Sequence, residues 1–230
     1  YDVVILGRKA ESFFTASRAE ELVEYVSRGG NVVFARGPMQ EGGADRLFGP
    51  LEPVLWGEGA IGAFRMKLTG EGLSTPVFEI QGGESAETTF ERLPPLLGAR
   101  VIRNVRPGAN VLARTDAPGF PGESETMAVV VHQNYGKGSS LVVDAEGLWR
   151  WEFLPESLSN YDDSYGRFWG QIIRWLASDV HGQPGQRITF RTDRISYESG
   201  DTVHFQVYDR ASDQEDLEAV IELTLPDGSV

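Results

Sequence analysis

The chain has no cysteine among its 230 residues, so thiol nucleophiles, thiolate metal sites and disulfides are all excluded. Its three histidines are His132, His181 and His204. His132 with Ser139 and Asp144 supplies the residue types of a hydrolytic triad, but no Gly-x-Ser-x-Gly elbow is present to lift the serine out. An ordinary strand histidine accounts for His132 better. Asp144 or Glu146 with Asp162 and Asp163 could offer oxygen ligands to a hard cation. Capping of a helix N-terminus explains the Asp162–Asp163 pair without an ion, so neither a metal nor a cofactor is assigned. Trp149-Arg150-Trp151 offers aromatic faces and a guanidinium fork to a sugar or a peptide. The same run serves equally as a core seal with the arginine stem lying along it, which is the preferred reading. Arg36 is the most suggestive single residue, because it follows the apolar run Asn31–Ala35. Gly37 to Gly43 lacks the Lys-Ser/Thr of a phosphate loop.

These residues depend on the elements that carry them. Asp2-Val3-Val4-Ile5-Leu6 reads as a strand covered on both faces. Ala19, Leu22, Val23 and Val26 form one apolar helical stripe, started by a Ser17/Glu20 capping box or by Thr15 and stopped at Gly29-Gly30. Asn31 to Ala35 is the next strand, and the short connections predict a right-handed parallel β-α-β unit. Arg36 then stands at the carboxyl end of a parallel strand, where open α/β sheets place their ligands.

Pro38 to Gly72 reads as a long loop with short helical pieces above that edge. Gly82 to Glu91 is polar, and Leu93-Pro94-Pro95-Leu96 is a stiff extended patch. Strands are predicted over 100–105 and 110–114, flanking a turn at Arg106-Pro107-Gly108. Two more, over 127–132 and 139–145, flank a hairpin connection at 133–138. A helix beginning near 160–163 presents Tyr165, Phe168, Trp169, Ile172 and Leu176, with Ile173 and Trp175 widening the face.

Residues 181–186 form a linker. Beyond it the pattern has period two, with strands at 187–191, 203–207 and 219–225, the start of an immunoglobulin-like sandwich. The expected organisation is an α/β domain over 1–180, the linker, and an incomplete all-β domain over 187–230.

With 40% hydrophobic and 24% charged residues the composition is that of a globular protein. The net charge of −13 repels phosphate backbones and anionic lipid, so nucleic acid is excluded as a partner. No apolar run reaches the ~20 residues needed to cross a bilayer, and the start at Tyr1 inside a strand-like run reads as a piece of a longer protein.

Tyr1 to Leu6, followed by Thr15 to Val33, resembles the class I glutamine amidotransferase-like superfamily, specifically its catalytically degenerate branches. These include trehalose-utilisation-type proteins, the β-galactosidase trimerisation domain, and the amidotransferase-like domains of large bacterial membrane proteins. Asn134-Tyr135-Gly136-Lys137-Gly138, Leu148-Trp149-Arg150-Trp151 and Phe168-Trp169 with Ile173-Arg174-Trp175-Leu176 are similar to the last group. The resemblance implies a flavodoxin-like three-layer α/β/α domain followed by β-sandwich segments, with membrane helices only outside this piece. It also implies an extracytoplasmic setting. Active members attack through an elbow cysteine with a downstream His and Glu; here the elbow reads Ala35-Arg36-Gly37-Pro38, and no catalytic residue carries over.

Two functions fit these residues. The first is a non-catalytic domain that works through contacts with protein partners, further copies of itself or glycans. The second is a trehalose-utilisation-type sugar-binding or hydrolytic domain. Its pocket would draw on Arg36, Asp144, Glu146, Trp149, Arg150, Asp162 and Asp163.

Overall fold

A computed structural model describes residues 2–35, 48–81, 84–118, 126–177, 188–192, 202 and 205–209. The protein divides into two compact units, Tyr1–His181 and Gly182–Val230.

The first unit begins with the predicted β-α-β unit, but its first strand is not covered on both faces: Val3 and Val4 are half-buried and Ile5 is 44% exposed, because the strand stands at the end of the sheet order. β1 (Val3–Leu6) pairs in parallel with β2 (Asn31–Phe34), in register from Val3 opposite Asn31 to Leu6 opposite Phe34. Between them runs α1 (Ala16–Ser27), capped by Thr15, whose hydroxyl accepts the Arg18 N–H at 3.3 Å. Thr15 therefore fills the cap, and Ser17 lies inside the helix. Ala19, Leu22 and Val26 are buried, as the stripe requires.

The stretch expected to be a long loop holds two strands within its described residues, and there the expectation fails. β3 (Val54–Ile61) pairs antiparallel with β5 (Ala99–Val105) in a small separate sheet. β4 (Met66–Leu68) joins the main sheet, and α2 (Gly70–Leu73) follows it. Gly57 and Gly59 interrupt the apolar alternation of β3, and they lie where its register shifts between Trp56 and Ala60.

The main sheet is mixed, in the order β1-β2-β8-β7-β6-β4. β8 (Gly138–Val143) is parallel to β2; β7 (Thr126–Tyr135), β6 (Asn110–Pro118) and β4 complete it in antiparallel fashion. The predicted hairpin is present but tighter, since its strands run on to a two-residue turn at Gly136-Lys137. Gly136 has φ +61°, the conformation such a turn demands of its first residue. The strands around Arg106-Pro107-Gly108 separate instead: β5 goes to β3, and β6 goes to β7 and β4.

Alternate residues of β2 serve opposite faces. Val32 and Phe34 pack with the α1 stripe, while Val33 packs with Phe168, Ile172 and Leu176 of α4 (Ser164–Ala177). Helices thus cover both sides of a mixed sheet. A 3-10 segment at Glu156–Tyr161 precedes α4, which starts later than predicted. Ile173 is 41% exposed and faces away from the core, so it does not widen the buried face; Trp175 does. The short α3 (Ala86–Arg92) forms within the segment read only as polar, capped by Ser85.

In the second unit β9 (Ile188–Thr192) pairs antiparallel with β10 (Phe205–Asp209). The linker at 181–186 and the strand expected over 219–225 lie outside the described residues.

Candidate functional site

The parallel strands β1, β2 and β8 end together, and each hands the chain to a residue of interest: Arg8 after β1, Ala35 after β2, Asp144 after β8. Arg36 lies outside the described residues.

Asp144 is 2% exposed. Its N–H donates to the Val129 carbonyl at 2.8 Å, extending the β7–β8 ladder by one bond. Its Oδ2 accepts the Arg100 backbone N–H at 2.7 Å. Burial pushes its carboxyl up from 3.8 to about 7 against the Arg100 N–H, which favours the charged form; Glu146 adds to the rise, and the charges of Arg100 and Arg8 oppose it.

Two residues on, Glu146 bridges to Gly98 through its backbone: its N–H donates to the Gly98 carbonyl, and its carbonyl accepts the Leu97 N–H, both at 2.7 Å. A Cβ on Gly98 would stand 2.6 Å from the Ile61 carbonyl oxygen, so only glycine allows the approach. The Glu146 carboxylate pairs with the Arg8 guanidinium. The structure therefore brings Asp144 and Glu146 together with Arg8 and Arg100, neither of which the sequence singled out. Arg8 had one signal: it is the first charged side chain past the end of the apolar run Val3–Leu6.

The Trp-Arg-Trp run divides its labour. Trp151 is 2% exposed, donates Nε1–H to the Pro94 carbonyl at 3.1 Å, and meets Phe90 and Phe168 edge-on at 5.6 and 5.7 Å. Arg150 donates to the Pro95 carbonyl at 2.8 Å. Both use the carbonyls that the extended Pro94-Pro95 segment leaves without ladder partners. Trp149 faces outward at 55% exposure, against the still more exposed Phe153 with ring centroids 6.3 Å apart. The core seal is thus Trp151 and Arg150 alone, and no single platform spans the run.

Asp162 and Asp163 are exposed before α4, and neither side chain takes a hydrogen bond among the described residues. Asp163 has φ +69°, away from the extended backbone of an N-cap, and contributes only its carbonyl, which accepts the Arg167 N–H at 2.8 Å. The capping role expected for the pair is therefore not made. Among the described residues, no three of His, Asp and Glu are placed to hold a metal ion. The triad residues do not converge either. The Ser139 hydroxyl donates to Asn31 Oδ1 at 2.9 Å, His132 packs on the Trp175 ring at 4.7 Å, and Asp144 faces Arg100.

A cleft of about 240 Å³ opens elsewhere, between β4 and α3. Arg65, Lys67 and Asp116 line one side, and Glu87 and Glu91 the other. None of the described residues selected from the sequence borders it.

No protein-family model and no curated protein sequence matches this chain. Solved structures do resemble it. The cytoplasmic protein STM3548 from Salmonella typhimurium is similar with a TM-score of 0.52 at 16% identity, over 76% of this chain and 72% of that one. The cytoplasmic protein STM1381 from Salmonella typhimurium LT2 gives 0.48 at 15% identity, over 76% and 72%. The β-galactosidase from Rahnella sp. R3 gives 0.45 at 15% identity, over 84% of this chain but 25% of that one. At such identities the first likeness speaks to fold alone: the chain has a mixed α/β architecture of the kind seen in STM3548.

Proposed function

We propose that residues 1–180 form a non-catalytic domain of the class I glutamine amidotransferase-like type, with a flavodoxin-like three-layer α/β/α architecture, that works through contacts with protein or glycan. The residues after it begin an immunoglobulin-like sandwich, and the whole belongs to the extracytoplasmic part of a membrane-anchored bacterial protein.

One observation carries this proposal: the carboxyl end of β8 is closed. Asp144, the first residue past that strand, is buried and held by the Arg100 N–H, and the Gly98–Glu146 bridge crosses directly beyond it. A substrate would need that space. The chain also lacks the thiol that amidotransferases use. Its exposed Trp149–Phe153 pair suits contact with another surface.

Ammonia release from L-glutamine, followed by coupling to glutamate dehydrogenase, tests the proposal. Release at the level of the enzyme-free blank is expected, and turnover proportional to protein concentration would overturn it.

The carboxyl of Asp144, pushed to about 7, favours the second function, because a general acid or base of a sugar-processing domain has this ionisation. Trehalose titrated against the intrinsic tryptophan fluorescence separates the two. A saturable change lost in Asp144→Asn supports the sugar site, and a flat titration supports the closed edge.

A further inference from the structure

Three hydrogen bonds stitch the β3–β5 sheet to the main sheet at the end of β8. The Arg100 N–H donates to Asp144 Oδ2, the Glu146 N–H to the Gly98 carbonyl and the Leu97 N–H to the Glu146 carbonyl, all at 2.7 Å. The same segment of chain also pairs away from Asp144, Leu96 with Phe64 and Ala99 with Ile61. Every partner in this seam is a main-chain group except one acceptor. That acceptor is the carboxyl of Asp144, which is buried.

A carboxyl shut away from water favours its neutral form, because ionising there forfeits hydration. Among the described residues this one takes a single hydrogen bond, from the Arg100 N–H. The charged groups that face it are Glu146 beyond β8, Arg100 on β5 and Arg8 after β1. Glu146 repels the charged form, the two arginines attract it, and Arg8 is itself paired with Glu146. Burial outweighs the Arg100 N–H and both arginine charges, so with the seam closed the proton is held up to about pH 7. With the seam parted, water reaches the carboxyl and it ionises in the ordinary carboxylate range.

We propose that Asp144 is a proton-operated catch on this seam: protonated, it holds residues 97–100 against the end of β8, and on losing its proton it lets them part. The parting is local. Among the described residues, the only main-chain bonds from residues 145–147 to a neighbouring strand are those of Glu146. β1, β2 and β8 therefore stay paired while the seam opens. Opening uncovers the carboxyl end of β8, so the inference rests on the closed-edge reading and adds the condition under which that edge opens. The glutamine assay reads turnover and the measurement below reads opening, so either can fail without the other.

Amide hydrogen exchange of the whole 230-residue chain, followed by NMR from pH 4 to 8 and normalised to intrinsic rates, tests the catch. Protection of the Leu97, Arg100 and Glu146 amides should fall ~10-fold per pH unit and level off at about pH 7. In urea well below the unfolding midpoint these three amides should exchange at unchanged rates, whereas Val33 of β2 follows global unfolding and exchanges faster. Asp144→Asn keeps an oxygen for the Arg100 N–H and should abolish the pH slope at all three. Glu146→Gln keeps Asp144 and the main-chain bridge. By removing the like charge and freeing Arg8, it should move the levelling-off to lower pH. Protection that is flat with pH in the parent would overturn the proposal. So would a slope that survives Asp144→Asn, a levelling-off unmoved in Glu146→Gln, or a urea dependence matching Val33.

Discussion

The Arg100 N–H donates to Asp144 Oδ2 at 2.7 Å, tying the end of β8 to the start of β5 and so joining the two sheets of the first unit. The bond forms at a carboxyl that burial pushes from 3.8 to about 7. A folded acid with a raised pKa binds its proton more tightly than the unfolded chain does. Its contribution to stability is complete below pH 3.8 and is lost as the pH rises through about 7.

Within that window the loss runs at ~1.4 kcal/mol per pH unit. Asp144→Asn keeps an oxygen to accept the Arg100 N–H and cannot ionise. Thermal unfolding from pH 4 to 8 should show the variant gaining on the parent as the pH rises, by a few degrees or more at pH 8. Parallel pH profiles for the two proteins would refute the assignment.

Trp149 and Trp151 are two residues apart and should respond oppositely to truncation. Trp151→Ala empties a buried site between Phe90 and Phe168 and orphans the Pro94 carbonyl, a cost of ~3–5 kcal/mol. Trp149→Ala removes an exposed ring and should cost under ~1 kcal/mol. Urea unfolding measures both, and similar midpoints for the two variants would contradict their placement.

Part of this arrangement is legible in the residues. The β1-α1-β2 unit announces itself because Ala19, Leu22 and Val26 recur at helical spacing and the connections are short. β3 does not, because Gly57 and Gly59 break the alternation that identifies a strand, and β4 is too short to show a period. The turn at Arg106-Pro107-Gly108 is local information, whereas the partner of Val105 is Val54, chosen by packing. At the site, Asp144 and Glu146 stand out because they follow a strand. Arg100 does not, because it acts through a backbone N–H that any residue there would offer. The β4–α3 cleft is invisible until β4 is known to be an edge.

Asn31 makes a similar junction at the opposite end of β2. Its Nδ2 donates to the Leu176 carbonyl at 2.7 Å and the Asp2 carbonyl at 3.2 Å, and its Oδ1 accepts the Ser139 hydroxyl at 2.9 Å. One buried amide thus joins β1, β8 and the end of α4. Asn31→Ala should cost ~3 kcal/mol, since it strands several buried partners, whereas Ser139→Ala should cost ~1 kcal/mol. Because the two share a bond, the double variant should cost measurably less than the sum in chemical denaturation. Strict additivity would show that the bond carries no weight.

Two glycines test the packing around this framework from opposite directions. A Cβ on Gly138 would stand 1.9 Å from the Gly30 carbonyl oxygen and 2.5 Å from that of Val26. Both are backbone atoms at the junction of α1 and β2, where no rotamer change makes room, so Gly138→Ala should cost more than ~3 kcal/mol or abolish folding. Gly166 is exposed in the first turn of α4, and a Cβ there would meet nothing within 4 Å. The alanine variant at that position pays only in the unfolded state, where it has fewer conformations to lose, so it should gain ~0.5–1 kcal/mol. Differential scanning calorimetry reads both: Tm should fall sharply for Gly138→Ala and rise by a few degrees for Gly166→Ala. A tolerated Gly138→Ala would mean that β8 does not approach the Gly30 and Val26 carbonyls this closely.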